Sequence, residues 1–231
     1  MEETRTEGQH FAIIVAGGQG SRMQSSLPKQ FLEVGGKPLL MHTLEQFYLA
    51  DPDVQLILVL PAEQRQLWNL LCQQYGYTRP VQVVNGGATR FQSVKQGLAR
   101  VTGEGVVAVH DGVRPFVPVA CIRQSFEVAR EKGSAVLAVP LKDSIRELTS
   151  EGESIARDRH LFQVVQTPQT FQTGILKQAF LQPESSSFTD DASVVEKAGY
   201  GIVLIPGSYD NIKITTPEDL QFAAFYLQNR Q

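Results

Sequence analysis

The chain has 231 residues, with 24 acidic and 21 basic side chains and a formal net charge of −3. A balance this near neutral, with a pI near 5.8, excludes a general attraction to nucleic acid or to an anionic membrane, so any affinity for phosphate must come from local basic clusters. The length suits one α/β domain with a small appendage, and apolar runs such as 56–60 fall far short of the roughly 20 residues of a membrane span.

The opening MEETRTEGQH has neither the apolar core of a signal peptide nor the Arg-rich look of a transit peptide. Cys72 and Cys121 lie far apart without metal-ligand spacing and read as reduced core residues. Together these features predict a cytoplasmic protein with small-molecule partners, no nucleic acid and no membrane.

Residues 11–15 form an apolar, β-branched run with the length of a buried strand. It leads directly into Ala16-Gly17-Gly18-Gln19-Gly20-Ser21-Arg22-Met23 and, further on, Pro28-Lys29-Gln30. Glycines after a strand let backbone amides approach an anion such as a polyphosphate, and Arg22 and Lys29 add fixed positive charge. The spacing fits neither a Walker loop nor a dinucleotide fingerprint, where Met23 would have to be a small residue. Two glycines, an arginine and Pro-Lys-Gln after one strand favour phosphate binding over a simple turn.

Downstream, 31–34 reads as a short strand, Gly35-Gly36 as a turn, and Pro38 as the first residue of a helix reaching about Ala50. A strand over 54–60 and a helix over 62–75, with Leu67, Leu70 and Leu71 inward, come next. A short strand over 81–84 then enters Gly86-Gly87-Ala88-Thr89, with a helix from Thr89 carrying Phe91, Val94 and Leu98. Strand 106–109 ends in His110-Asp111-Gly112-Val113-Arg114, followed by helix 119–131 and strand 135–139. Such alternation predicts an α/β fold: a three-layer, Rossmann-like domain with a mostly parallel sheet, helices on both faces and a site at the strand carboxyl ends.

Between Pro140 and Thr167 the alternation breaks. Strands over 144–148 and 161–165 flanking a polar 149–154 predict a projecting hairpin arm at 140–167, with residues 1–139 and 168–231 forming the single α/β domain. An arm with so little core of its own predicts a homodimer. The rest reads as helices near 174–181 and 189–198, strands at 202–205 and 211–214, and a last helix opened by Thr216-Pro217-Glu218-Asp219.

Gly86 to Ser93 is a second glycine turn into a helix, and by itself an ordinary capped turn accounts for it. Asp111, at a strand's carboxyl end, serves equally well as a cap or as a ligand for a divalent cation.

Ala-Gly-Gly-Gln-Gly-Ser-Arg-Met with Leu-Pro-Lys-Gln-Phe resembles the signature of nucleotidyltransferases that join a nucleoside triphosphate to a phosphorylated sugar or polyol. Asp158-Arg159, Gln166-Thr167-Pro168-Gln169, Thr189-Asp190-Asp191-Ala192-Ser193 and Asp210-Asn211-Ile212-Lys213 narrow the resemblance to the 2-C-methyl-D-erythritol 4-phosphate cytidylyltransferase family of the non-mevalonate isoprenoid pathway. These motifs span residues 12–220 in order.

The resemblance implies that Ala16, Gly17, Gly18, Gly20, Gly86, Ser93 and Asp111 bind CTP and that Asp111 holds Mg2+. It implies that Arg22, Lys29, Arg159 and Lys213 are catalytic. Asp111, Arg114, Ser144, Arg159, Thr189 and Lys213 would contact the polyol phosphate, with Arg159 supplied from a partner's arm. The chain departs from the family in having Gly112-Val113 where two alanines are usual, and Asp143-Ser144 where Asp-Thr is common. A ribitol 5-phosphate cytidylyltransferase and a CTP-sensing module without turnover are the alternatives.

Overall fold

A computed structural model describes residues 8–18, 27–150 and 152–229. In chain order the strands are β1 (Gln9–Val15), β2 (Glu33–Val34), β3 (Lys37–Pro38), β4 (Gln55–Leu60), β5 (Gln82–Asn85), β6 (Gly105–Asp111), β7 (Ser134–Pro140), β8 (Ile145–Leu148), β9 (Ser154–Arg157), β10 (Gln163–Gln172) and β11 (Leu204–Pro206). The helices are α1 (Leu39–Ala50), α2 (Arg65–Gln74), α3 (Arg90–Leu98), α4 (Val119–Lys132), α5 (Thr173–Ala179), α6 (Asp191–Lys197) and α7 (Pro217–Gln228).

Seven strands make one sheet in the order β11-β7-β10-β6-β1-β4-β5. All neighbours are parallel except β10, which runs antiparallel to both β6 and β7. Strand β1 is buried on both faces, and its side chains alternate between two cores. Ala12 and Ile14 pack with Leu40, Leu44, Phe47, Trp68 and Phe126 from α1, α2 and α4. Phe11 and Ile13 pack with Phe91, Val94, Leu98 and Leu176 from α3 and α5. This is why the run reads as continuously apolar: a central parallel strand has no solvent face. The three-layer α/β architecture is as the sequence predicts.

The sheet order turns around at β1, because β4 and β5 extend to one side and β6 returns on the other. Such a reversal leaves a crevice at the carboxyl ends of the strands. Val15 and Asp111 are register partners there, and the loops are pinned by Ala16 N–H to Val59 O (3.0 Å), Gly86 N–H to Leu60 O (2.8 Å) and Gly112 N–H to Val15 O (2.9 Å).

Several local expectations are corrected. Residues 29–31 form a 3-10 turn before β2, and Pro38 is the N-cap of α1 rather than its first residue. Leu70 is exposed, and Trp68 takes the buried position on α2. The hairpin pairs β8 with β9, not with 161–165. Every β9 residue is exposed, so the strand carries no apolar alternation to reveal it. Asp158 instead accepts a hydrogen bond from His160 N–H and bends 159–161 into a 3-10 turn, and 163–167 belong to β10, with 163–165 paired to β7. Strand β11 begins at Leu204. Residues 211–214 form no strand: Ile214 N–H donates to Val113 O, and Asn211 is held by its side chain. Among the described residues no helix is long and apolar enough to cross a membrane.

His110 is fully buried at the end of β6. One ring nitrogen, Nε2, lies 3.2 Å from Arg114 O, while Nδ1 is without a partner. Burial pushes its pKa down to about 4, and burial likewise lowers that of His42 on α1. The unfolded chain protonates both near pH 6.5, so stability present at pH 7 is lost as the pH falls below that, for His110 over the range from about 6.5 toward 4. For His110 the loss is on the order of 3 kcal/mol. Chemical denaturation at stepped pH should show this decline, and His110→Gln should make it shallower; an unchanged slope would show that His110 is not its source.

Candidate active site

The crevice beside β1 is a cavity of about 240 Å3. Its walls include Ala16, Gly17, Gly18, Lys29, Gly87 to Arg90, Ser93, Asp111 and Lys213. Each arrives on a different element. Lys29 extends from the 3-10 turn over Gly18, where an added methyl would stand 3.6 Å from its Cε and 3.9 Å from its Nζ. The next residue, Gln30, is buried and donates to Ala16 O (2.8 Å) and Gln64 Oε1 (2.6 Å), fastening the Pro-Lys-Gln segment to the end of β1.

On the opposite wall Thr89 caps α3, its Oγ1 accepting from Gln92 N–H at 3.1 Å. Ser93 Oγ accepts from Gly87 N–H at 3.1 Å and donates to Gly87 O at 3.4 Å. A side chain at Gly87 would lie 2.3 Å from Gln92 Cβ, so this tight turn onto the helix requires glycine. Gly86 is not among the wall residues; it packs behind the wall, where an added Cβ would be 3.0 Å from Ser93 Oγ.

Asp111 is the cavity's anion and is largely buried. Lys213 Nζ is 2.9 Å from its Oδ2, Arg114 Nε 3.5 Å from Oδ2 and Arg90 Nε 3.8 Å from Oδ1. Burial pushes the carboxyl pKa up, but Arg90, Lys213 and Arg114 outweigh it and hold the group well below the usual carboxylate range. Arg90 also makes a bidentate pair with buried Asp191, at 2.9 and 2.6 Å. Among the described residues, four cations (Lys29, Arg90, Arg114, Lys213) thus stand with three carboxylates (Asp111, Asp190, Asp191) at this end of the sheet. The surplus is positive, which suits a polyanionic ligand.

Gly112, one residue on, has no room for a side chain. A methyl there would lie 2.9 Å from Ala16 Cβ and 3.1 Å from Leu40 Cδ1. Val113 is buried against Leu39, Phe116 and Ile214.

The chain places the predicted residues unequally. Ala16, Gly17, Gly18, Lys29, Ser93, Asp111 and Lys213 line one cavity, with Arg114 behind Asp111. Ser144 and Arg159 are exposed on the arm and do not reach this cavity; Arg159 Nη1 donates to Lys142 O. Thr189 is exposed beside α6, whose cap is Asp190 rather than Thr189. Gly20 and Arg22 lie outside the described residues. Arg90 and Asp191 escaped the sequence reading: Arg90 sat in a helix-starting motif and Asp191 in an Asp-Asp pair, with nothing in spacing to join residues 101 positions apart.

A family model described as 2-C-methyl-D-erythritol 4-phosphate cytidylyltransferase matches residues 10–229. The chain belongs to this cytidylyltransferase family. A family member from Bacteroides thetaiotaomicron is 50% identical over 93% of this chain and 98% of its own length. One from Bacteroides fragilis is 48% identical over 94% and 98%. The crystal structure of the 4-diphosphocytidyl-2C-methyl-D-erythritol synthase from Anaerococcus prevotii superposes with a TM-score of 0.83 at 28% identity, covering 96% of this chain and 99% of that one.

Within this family member, the Gln-Thr-Pro-Gln motif acts as a fastener. Gln166 Nε2 donates to Ser208 O (2.8 Å), and Asn211 Nδ2 donates to Gln166 Oε1 (3.2 Å) and Thr167 O (2.8 Å). Thr167 Oγ1 accepts from Asp111 N–H (3.1 Å), while Gln169 bridges Asp190 Oδ2 and Ala192 N–H. The segment carrying Lys213 is therefore tied to β10 through buried Asn211. Asn211→Ala should lower stability by about 1–3 kcal/mol by stripping buried partners and should loosen Lys213. Urea unfolding with wild-type stability would refute the first effect.

Proposed function

We propose that the chain joins CTP to 2-C-methyl-D-erythritol 4-phosphate, giving 4-CDP-2-C-methyl-D-erythritol and pyrophosphate. The observation that carries this reading is the convergence of Lys29, Lys213 and Asp111 on a glycine-walled cavity in a member of this family. The triphosphate lies against the loop from Ala16 to Gly20 and against Lys29. The base and ribose lie toward Gly86 and Ser93. A phosphate oxygen of the polyol phosphate attacks the α-phosphorus in line, and the bond to pyrophosphate breaks.

Two anions must approach each other, so the chain's task is alignment and charge neutralisation rather than covalent catalysis. Lys29 and Arg22 stabilise the charge that grows on the α-phosphate and leaving group. Lys213 and Arg159 hold the attacking phosphate, and Arg114, Ser144 and Thr189 contact the polyol or its phosphate. No general base is needed, because the attacking phosphate has a second pKa of about 6; His110, buried and neutral, takes no part.

Mg2+ fits the donor set in one respect. Asp111 is an ionised carboxylate on the cavity wall with Lys213 close to Oδ2 and Arg90 more distant from Oδ1, and among the described residues no group of three or more His, Cys, Asp or Glu side chains gathers to hold a metal. One carboxylate completed by substrate phosphates is the arrangement magnesium favours. Asp111 would hold the ion, which would supply further neutralisation of the triphosphate.

Two copies of the chain complete the site. Leu148, Leu161, Phe162, Val164 and Val165 are exposed on and beside the arm, an apolar surface that a second copy would cover, with Arg159 reaching the neighbouring cavity. Cys72 and Cys121 are free thiols, in keeping with a reducing cytoplasm.

Pyrophosphate release should be seen with CTP and methylerythritol phosphate and be much weaker with ribitol 5-phosphate or other nucleoside triphosphates; equal rates with ribitol 5-phosphate would overturn the substrate assignment. Lys29→Ala should fold normally yet lose about 100-fold or more in kcat, and near-normal turnover would remove Lys29 from the reaction. A one-to-one mixture of Lys29→Ala and Arg159→Ala chains, allowed to exchange, should regain about a quarter of wild-type activity, since each hybrid dimer has one intact site. Verified hybrids without recovery would show that the site is not shared.

A further inference from the structure

The cations around Asp111 are not equivalent. Arg90 occupies the first position of α3, where the helix dipole disfavours a cation. Asp191 occupies the first position of α6, where the dipole favours a carboxylate. The two meet in parallel hydrogen bonds, Nη1 to Oδ1 at 2.9 Å and Nη2 to Oδ2 at 2.6 Å. Nε of the same guanidinium faces Asp111 Oδ1 at 3.8 Å, so one planar group lies between two carboxylates.

A buried pair of this kind contributes little net stability, because desolvation offsets most of the attraction. Its geometry is more informative. The bidentate contact fixes distance and orientation together, and it joins the cavity wall at Gly87–Arg90 to the segment leading from Thr189 into α6. Two further contacts tie these bodies nearby: Gln92 Nε2 donates to Glu184 Oε2 at 3.0 Å, and Gln169 holds Asp190 and Ala192.

We propose that the Arg90–Asp191 pair is a positioning clamp through which filling of the nucleotide cavity tightens binding of the polyol phosphate. The inference rests on the proposed function, which places CTP against the cavity wall and the polyol phosphate at Thr189. An arriving triphosphate draws Lys213 and Lys29 toward itself and leaves Asp111 with Arg90 and Arg114. Any adjustment of Arg90 then moves Asp191 and the start of α6. By linkage, the polyol phosphate tightens the nucleotide by the same factor.

The test is calorimetric titration of full-length protein with methylerythritol phosphate, alone and with saturating α,β-methylene CTP. In the wild type the nucleotide should lower the polyol-phosphate Kd about tenfold. In Asp191→Asn, and in Asp191→Ser should the first variant fold poorly, the factor should fall below about twofold while the Kd of the nucleotide alone stays within about threefold. A purely structural role would weaken both ligands or lower Tm and leave the factor at its wild-type value, which would overturn the clamp. So would a wild-type factor near one. Wild-type protein that releases no pyrophosphate from CTP and methylerythritol phosphate together overturns the proposed function and the clamp with it, whereas an active enzyme whose variants keep full coupling overturns the clamp alone.

Discussion

The structure depends above all on one buried carboxylate surrounded by cations. Taking Asp111 out of water at the end of β6 is costly unless partners compensate, and Lys213, Arg114 and Arg90 do so from three separate parts of the chain. The interaction works in both directions. The carboxylate gives each cation a reason to point inward, and the cations keep it ionised. The result is a cavity whose positive charge is gathered by contacts within the chain itself.

The supports of this cluster lie mainly on β10. As the antiparallel member of the central sheet it lies between β6 and β7, next to the strand that carries Asp111. From there Gln166 and Thr167 reach the segment before Lys213, and Gln169 reaches the start of α6. Glutamine and threonine suit this task because their uncharged groups donate and accept, and so join loops of differing polarity without adding charge to the site.

Much of this was legible in the sequence because it follows local rules. The doubly buried β1, the Thr89 cap of α3 and the capping box of Thr216 and Asp219 each announce themselves within a few residues. So did the gathering of Lys29, Asp111 and Lys213, because the motifs that carry them resemble a family signature. Features set by distant partners did not. Strand β9 is short and exposed along its whole length, and only its backbone pairing with β8 marks it as a strand. Asn211 to Ile214 has the apolar alternation of a strand, but buried side-chain hydrogen bonds set its path instead. The pairing of Arg90 with Asp191 is a property of the sheet order, which brings α3 and α6 to the same end of the molecule.

The dipeptide Gly112-Val113 shows how unevenly the space behind the cavity is filled. Relative to the alanine pair that the resemblance leads one to expect, the chain has one side-chain carbon fewer at 112, against Ala16 and Leu40, and two more at 113, toward Leu39, Phe116 and Ile214. Neither half of that exchange is neutral alone, since close-packed interiors tolerate redistributed volume better than added volume. An alanine placed at 112 with its neighbours unchanged would press on Ala16 and Leu40, directly behind the wall of the cavity that Asp111 lines.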